Sequence, residues 1–133
     1  MQELDLDTRL VSLPDADSNF PRVLSATADS GCVRVKLDIS PDLTWFRGHF
    51  PDQPVLPGVI QLHWAVIVSR AFFEFSGSPR ELKRLKFKKI VTPPRVLELS
   101  LRWHASNEVQ FEFCGPDAQY SLGRLVFPEG ASC

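Results

Sequence analysis

The stretch that decides the fold of this chain is Gly48-His49-Phe50-Pro51-Asp52-Gln53-Pro54-Val55-Leu56-Pro57-Gly58. Its prolines and glycines hold the backbone in loop conformations. The following residues, Val59–Phe75, are apolar at most positions, and Ser76-Gly77-Ser78-Pro79 comes after them. Because proline is tolerated in a first helical turn, this pattern predicts a helix over about 57–75. A helix that is apolar on nearly all sides is buried on most sides, so the rest of the chain should wrap it.

Strands are predicted on both sides of this helix by the alternation of apolar and polar residues. Cys32–Ile39 alternates with period two, and further alternating runs lie within about 81–128. Residues 1–19 are polar and form an N-terminal segment outside the pattern. One long helix followed by antiparallel strands indicates a single α+β domain over residues 1–133, with the sheet curled around the helix.

Composition narrows the class of function. A net charge of -1 gives no reason to expect nucleic acid or an anionic membrane as partner. Gln61, His63 and Arg70 interrupt the apolar run, so it does not predict a membrane span. The three cysteines have no CxxC spacing, and the acidic N-terminus has no apolar segment typical of a signal peptide. We therefore expect a cytoplasmic protein without a metal, a disulfide or a cofactor.

The loop and the helix start together read G-H-F-P-x-x-P-V-x-P-G-V, which resembles the signature of the 3-hydroxyacyl-acyl-carrier-protein dehydratases. The match is dense and has prolines and glycines at fixed offsets, so it is far more specific than a short motif. The resemblance extends over about residues 20–128, and the basic stretch Leu82–Ile90 is similar to the family strand that follows the helix. The Gln61-Leu62-x-Trp64 context is similar to the dehydratases of aryl-polyene and related lipid pathways. One departure is Thr92-Pro93-Pro94-Arg95, where the family has a proline-glycine-aspartate turn.

The resemblance implies a hot-dog fold, in which a curved antiparallel sheet wraps a long central helix. It also implies that two copies pair and that the active sites lie at the pairing interface. We therefore expect a homodimer or a larger assembly of dimers. A subunit interface would also account for the excess of ten Phe and three Trp over one Tyr.

The reaction implied by the resemblance is removal of water from a 3-hydroxyacyl thioester, which gives a trans-2-enoyl thioester. His49 falls on the catalytic histidine of the family, and an imidazole suits proton transfer near neutral pH. The backbone N–H groups of Gly58 and Val59 are expected to stabilise the enolate oxygen from the helix start. Gln61 is expected to orient the thioester or a water molecule.

The main departure is His63, which stands fourteen positions after His49, where the family has an acidic residue. Two neighbouring imidazoles resist double protonation, so a singly protonated pair supplies one base and one acid. We predict a working His49–His63 pair with a more acidic optimum than that of a carboxylate enzyme. In the alternative, His63 only packs in a core or an interface and the activity is weak or lost.

A basic cluster at Lys83, Arg84, Lys86 and Lys88 is the remaining candidate site. Its functional interpretation is a landing patch for an acidic acyl carrier protein or for the phosphate of its pantetheine arm. The alternative is the solvated face of a strand. The sequence does not separate a carrier-protein thioester from a coenzyme A thioester as substrate.

Two other functions compete with a dehydratase. A hot-dog thioesterase would also need an acid or base, but the complete H-F-P…P-G-V loop argues against it. A non-catalytic acyl-thioester-binding subunit that stabilises an active partner in a heterodimer is the second, and the missing carboxylate supports it.

Overall fold

The computed structural model describes residues 13, 19–43, 55–73, 75, 77–105, 107–116 and 118–128. Within them lie one helix and six strands, which are α1 (Gly58–Phe73), β1 (Arg22–Asp29), β2 (Cys32–Ile39), β3 (Glu81–Phe87), β4 (Arg95–Ala105), β5 (Glu108–Cys114) and β6 (Gln119–Val126). In this part of the chain, no helix has both the length and the apolarity needed to cross a bilayer.

The strands form one sheet in the order β1-β2-β4-β5-β6-β3. All neighbouring strands are antiparallel. The chain leaves β2 near one edge, passes through α1, and enters β3 at the opposite edge before it returns to the middle of the sheet. The helix packs on one face, so the predicted α+β class is confirmed.

The core lies between α1 and the inner face of the central strands. Val35 lies opposite Leu99, and Leu99 lies opposite Phe113, so the period-two residues of three strands meet in one apolar row. Such rows contain the fully buried side chains Val33, Val35, Leu37, Leu97, Leu99, Leu101, Phe111 and Phe113. From the helix, Trp64 and Phe72 are equally buried. Each buried side chain of this size contributes roughly 1.5–3 kcal/mol through removal from water.

The helix ends at Phe73, before the predicted end at about 75. Phe75 lies outside the helix and stacks on Phe127, with 4.3 Å between ring centroids and 7° between planes. Phe75 also stacks on Trp103, with 5.4 Å between ring centroids. This aromatic packing outweighs the weak preference of the last positions for helix.

Strand β1 is an element that the sequence pattern did not predict. Its inward residues Val23, Ala26 and Ala28 are only partly buried, and two of them are small. A register shift between Val23 and Ser25 breaks the alternation. An edge strand with small inward residues and a bulge carries little period-two signal, which explains the omission.

Strand β3 ends at Phe87, so the predicted basic strand from Leu82 to Ile90 is too long. A bulge lies between Lys83 and Lys86, and Arg84 in it has a positive φ of 53°. All residues of β3 are exposed. The chain stays attached to β6 after the strand ends, because the N–H groups of Lys88 and Lys89 both donate to the carbonyl of Tyr120.

The turn that departs from the family pattern is held by Arg95. Its Nε donates to the carbonyl of Thr92 at 3.2 Å, and its Nη1 donates to the hydroxyl of Tyr120 at 2.7 Å. The guanidinium carbon lies over the Tyr120 ring, 5.5 Å from its centroid, so a cation–π contact accompanies the hydrogen bond to the hydroxyl. Arg95 thus stabilises the turn by hydrogen bonds to Thr92 within it and to Tyr120 on β6.

Candidate functional site

The first turn of α1 presents free donors. The carbonyl of Pro57 accepts from the N–H groups of Ile60 (3.1 Å) and Gln61 (3.3 Å). Those of Gly58 and Val59 donate to no backbone oxygen of the described residues. They are the unsatisfied amides that every helix start leaves, and the helix dipole adds a partial positive charge there. An oxyanion placed at this end would therefore be stabilised.

The chain that enters the helix is held from the side of the sheet. The N–H of Leu56 donates to the carbonyl of Val91 at 2.9 Å, and the Leu56 side chain is buried. Val91 belongs to the segment between β3 and β4 and is itself fully buried. The helix start is thus positioned by a segment that comes much later in the chain.

An aromatic ring lies directly against the helix start. A Cβ on Gly58 would lie 2.6 Å from a ring carbon of Phe87, which is closer than two carbon atoms can approach. Glycine is therefore what allows the end of β3 to touch the helix here. Phe87 is half exposed and forms one wall beside the two donors. No local pattern in the sequence indicates this contact.

Gln61 lies one turn further along and points into the protein. Its side chain is 2% exposed, and its Oε1 accepts a hydrogen bond of 2.7 Å from the hydroxyl of Ser121 in β6. Ser121 is fully buried. Its partner across the ladder to β3 is Phe87. The role of Gln61 in orienting the substrate stays a prediction, and Ser121 was missed because a lone serine in an irregular strand carries no signal.

His63 is exposed on the surface of α1. It lies four residues after Val59, so the two share one face of the helix, and Val59 is 67% exposed. His63 is therefore not a core residue of the single chain. His49 lies outside the described residues, and the His49–His63 pair stays a prediction. The neighbouring Trp64 is fully buried and its indole N–H donates to the carbonyl of Asn19, so Trp64 packs in the core.

The basic cluster divides into engaged and unengaged side chains. Lys83 lies 3.3 Å from Glu108 and forms an ion pair with it. Arg84 lies in the bulge, and Lys86 is on the outer face of the sheet opposite Leu122. Within the described ranges, no acidic residue pairs with Arg84, Lys86 or Lys88. These three remain candidates for a docking patch.

Over the residues that the structure describes, no group of three or more His, Cys, Asp and Glu side chains is placed to hold a metal ion.

The comparison with known families gives a match over most of the chain. The sequence model of the ApeI-like family, described as ApeI dehydratase, matches residues 25–124. A curated relative from Nitrobacter hamburgensis, named 3-hydroxyacyl-[acyl-carrier-protein] dehydratase FabZ, is 28% identical and is aligned over 86% of this chain and 82% of its own length.

Solved structures agree with this assignment. The dehydratase heterocomplex ApeI:P from Xenorhabdus doucetiae matches with a TM-score of 0.73 and 28% identity, over 80% of this chain and 96% of that chain. An uncharacterized protein from Erwinia carotovora subsp. atroseptica matches with a TM-score of 0.65 and 29% identity, over 82% and 96%. A dehydratase domain of the CurF module of curacin polyketide synthase matches with a TM-score of 0.66 at 12% identity, over 85% and 44%, which shows the fold alone.

These matches confirm the hot-dog fold and the resemblance drawn from the motif between Gly48 and Val59. They also confirm the enzyme class. This chain belongs to the ApeI-like dehydratase family and is a hydro-lyase.

Proposed function

We propose that this chain removes water from carrier-protein-bound 3-hydroxyacyl thioesters and forms trans-2-enoyl thioesters. The observation that carries the proposal is the pair of N–H donors of Gly58 and Val59, which start a largely apolar helix directly after the dehydratase motif. The curated relatives named 3-hydroxyacyl-[acyl-carrier-protein] dehydratase support the substrate class. The free thiols of Cys32 and Cys114 fit the reducing cytoplasm as the place of action.

The reaction needs only proton transfers and charge stabilisation. His49 takes a proton from the carbon next to the thioester carbonyl, and the electron pair moves onto the carbonyl oxygen. The N–H groups of Gly58 and Val59 stabilise this enolate. Loss of one such donor typically lowers kcat by about 10²–10³-fold. The enolate then collapses, the C–O bond at the third carbon breaks, and the hydroxyl leaves as water with a proton from His63.

His63 fits the role of the acid once a second subunit covers it. Beside it, the side chain of Val59 is exposed, and so are the apolar residues Leu82, Phe87 and Ile90 on and after β3. An apolar surface of this kind on one side of a small protein marks an interface. A partner copy there would exclude water from the helix start and strengthen the electrostatic effect of the donors.

The test is dehydration of a 3-hydroxyacyl carrier-protein thioester, followed by the absorbance of the unsaturated product across pH. We expect His49→Ala to abolish turnover and His63→Ala to lower kcat strongly. His104→Ala is the matched control, because His104 is exposed at the far end of β4 and contacts Glu108. Wild-type protein without turnover on short, long and polyene acyl groups would refute the proposal, and undiminished activity of His63→Ala would refute the acid role.

A non-catalytic acyl-binding subunit is the second candidate. It is favoured by His63, which replaces the acidic residue of the family, and by the match to a solved dehydratase heterocomplex. In that case the chain alone binds an unreactive acyl thioester analogue without turnover, and activity appears when an active dehydratase chain is added. Turnover by the purified chain alone excludes this candidate.

Carrier-protein docking on Arg84, Lys86 and Lys88 is the finer part of the proposal. Charge complementarity of this kind mainly raises the association rate and weakens with salt. We expect Lys86→Glu with Lys88→Glu to raise KM for a carrier-protein substrate at low salt, with little effect on a coenzyme A substrate. Lys36→Glu is the control, because Lys36 is exposed on β2, well away from β3 in the sheet.

A further inference from the structure

We propose that Ser121 is a positioning residue that acts through Gln61 and fixes the start of α1 for catalysis. The inference rests on the proposed function, because the groups to be positioned are the N–H donors of Gly58 and Val59 and the side chain of His63.

The hydrogen bond between Ser121 and Gln61 is a polar contact within an apolar interior. The donor and acceptor atoms are 2.7 Å apart, and the two residues are 0% and 2% exposed. Among the described residues, no other side-chain hydrogen bond joins α1 to the sheet. A buried amide oxygen needs a donor, so the pair also has an energetic reason to stay together.

A second contact joins the same two elements one turn away. Ser121 lies opposite Phe87 across the β3–β6 ladder, and the ring of Phe87 touches Gly58. Gly58 and Gln61 are neighbours on the first turn of the helix. The sheet therefore contacts the helix start at two points. One is the apolar contact of Phe87 with Gly58, and the other is the hydrogen bond of Ser121 with Gln61.

The two contacts have different physical consequences. An apolar contact fixes a distance but tolerates sliding, because the hydrophobic effect has no direction. A hydrogen bond weakens steeply when its angle changes, so Ser121 sets the rotation of the first turn about the helix axis. That rotation determines where the donors of Gly58 and Val59 point and where His63 stands. A displacement of about 1 Å at a reacting group can lower the rate about 10²-fold.

The first test is Ser121→Ala, assayed well below its thermal midpoint. We expect kcat to fall by about 10- to 100-fold with KM nearly unchanged. Ser69→Ala is the matched control, because Ser69 is also fully buried, lies on α1, and its hydroxyl has no hydrogen-bond partner among the described residues. A Ser121→Ala variant with the kcat of wild type would overturn the proposal.

A double-mutant cycle with Gln61→Met separates positioning from stability. If Ser121 acts through Gln61, adding Ser121→Ala to Gln61→Met leaves kcat where Gln61→Met put it. The thermal midpoint of the double variant should rise above that of Ser121→Ala, because no buried polar group is left without a partner. A kcat that recovers together with the thermal midpoint would show that the bond only stabilises the fold.

The effect of the Ser121–Gln61 hydrogen bond on the helix start can also be measured without the reaction. In Ser121→Ala, backbone hydrogen exchange should become faster over residues 60–63, whose N–H groups are bonded, and stay unchanged over 66–73. Ser69→Ala should leave residues 60–63 protected. If the wild type shows no dehydration, the proposed function fails, but the exchange result still tests whether Ser121 fixes the helix start. Unchanged exchange over 60–63 in Ser121→Ala would overturn the positioning role.

Discussion

At Gly58, the absence of a side chain decides how closely the sheet approaches the helix. The ring of Phe87 occupies the space where a Cβ would stand, and both residues border the two backbone donors. Helix propensity alone would favour alanine at this position. The glycine is thus explained by a contact and not by the local preference of the backbone.

The first prediction concerns this contact. Gly58→Ala forces the Phe87 ring outwards, and we expect about 1–3 kcal/mol less stability, as is typical of overpacking, together with lower kcat. Adding Phe87→Leu should restore part of the thermal midpoint, because the smaller side chain leaves room for the methyl group. Phe87→Leu alone is the control. A Gly58→Ala protein with unchanged midpoint and kcat would contradict the contact.

The second prediction concerns Cys114. Burial raises the pKa of its thiol to about 11, and the carboxylates of Glu112 and Glu98 act in the same direction. The thiolate is the reactive form, so Cys114 should be alkylated very slowly at pH 8 in a variant that lacks the other two cysteines. Denaturant should restore the rate of a free cysteine, and Glu112→Gln should accelerate the reaction in the folded protein. Fast alkylation of the folded protein at pH 8 would disprove the shift.

The raised pKa of Cys114 also makes the stability of the fold depend on pH. The folded protein holds the Cys114 proton more tightly than the unfolded chain does, so this group contributes its full stability below pH 9. That contribution is lost as the pH rises from 9.0 to about 11. Cys114→Ser should flatten the loss in a urea titration over this range.

Strand β3 is attached to the sheet less regularly than the other strands. Its ladder with β6 is interrupted by the bulge at Arg84, and its residues are all exposed. An ion cluster at one end of the strand stabilises this attachment. Glu108 of β5 forms ion pairs with Lys83 of β3 at 3.3 Å and with Arg124 of β6 at 3.5 Å. The Nε2 atom of His104 lies 3.1 Å from Nη1 of Arg124 and 3.5 Å from the Glu108 carboxylate, so this ring borders the same cluster.

The third prediction tests this cluster. Glu108 is largely buried whereas Lys83 is 44% exposed in its side chain, so each pair alone is worth little. Removing the shared carboxylate affects both partners at once, and we expect Glu108→Gln to cost about 1–2 kcal/mol in urea unfolding. Glu81→Gln on the same edge strand should cost much less, because no ion pair holds Glu81 within the described ranges. Equal effects of the two substitutions would argue against the cluster.

The whole molecule has one side that a single chain does not cover. The helix was predicted to be buried on most sides, yet Val59, His63 and Arg70 are exposed in the single chain. The inner face of β3 is also open, with Leu82 46% and Phe87 49% exposed. The sheet therefore wraps only part of the helix, and the remaining apolar surface fits a second subunit.

The fourth prediction follows at this scale. Leu82→Glu places a charge on the uncovered face, and we expect a monomer by light scattering and a loss of activity, since the donors border that face. Leu24→Glu is the control, because Leu24 is similarly exposed at 44% but lies on β1 at the opposite edge of the sheet. A dimer that survives Leu82→Glu and dissociates with Leu24→Glu would place the interface elsewhere.

The sequence by itself determined the fold class, the central helix, the strands β2, β4, β5 and β6, and the dehydratase family. These features were predictable because each depends on residues that are close together in the sequence. Helices and strands place side chains with periods of 3.6 and 2 residues, and the loop motif between Gly48 and Val59 is contiguous. The same local logic failed for β1 and for the ends of α1 and β3, where small inward residues, a bulge and aromatic stacking override the pattern.

Only the tertiary structure decided which distant residues meet at the helix start. Ser121 is 60 residues from Gln61 in the chain, and Phe87 reaches Gly58 only because β3 crosses to the far edge of the sheet. The ion pair of Lys83 with Glu108 likewise depends on the strand order, which brings β3 and β5 to either side of β6. Such contacts depend on strand order and register, and no local pattern specifies the partner of a buried polar group, because its hydrogen bond is satisfied by whatever the fold brings to it.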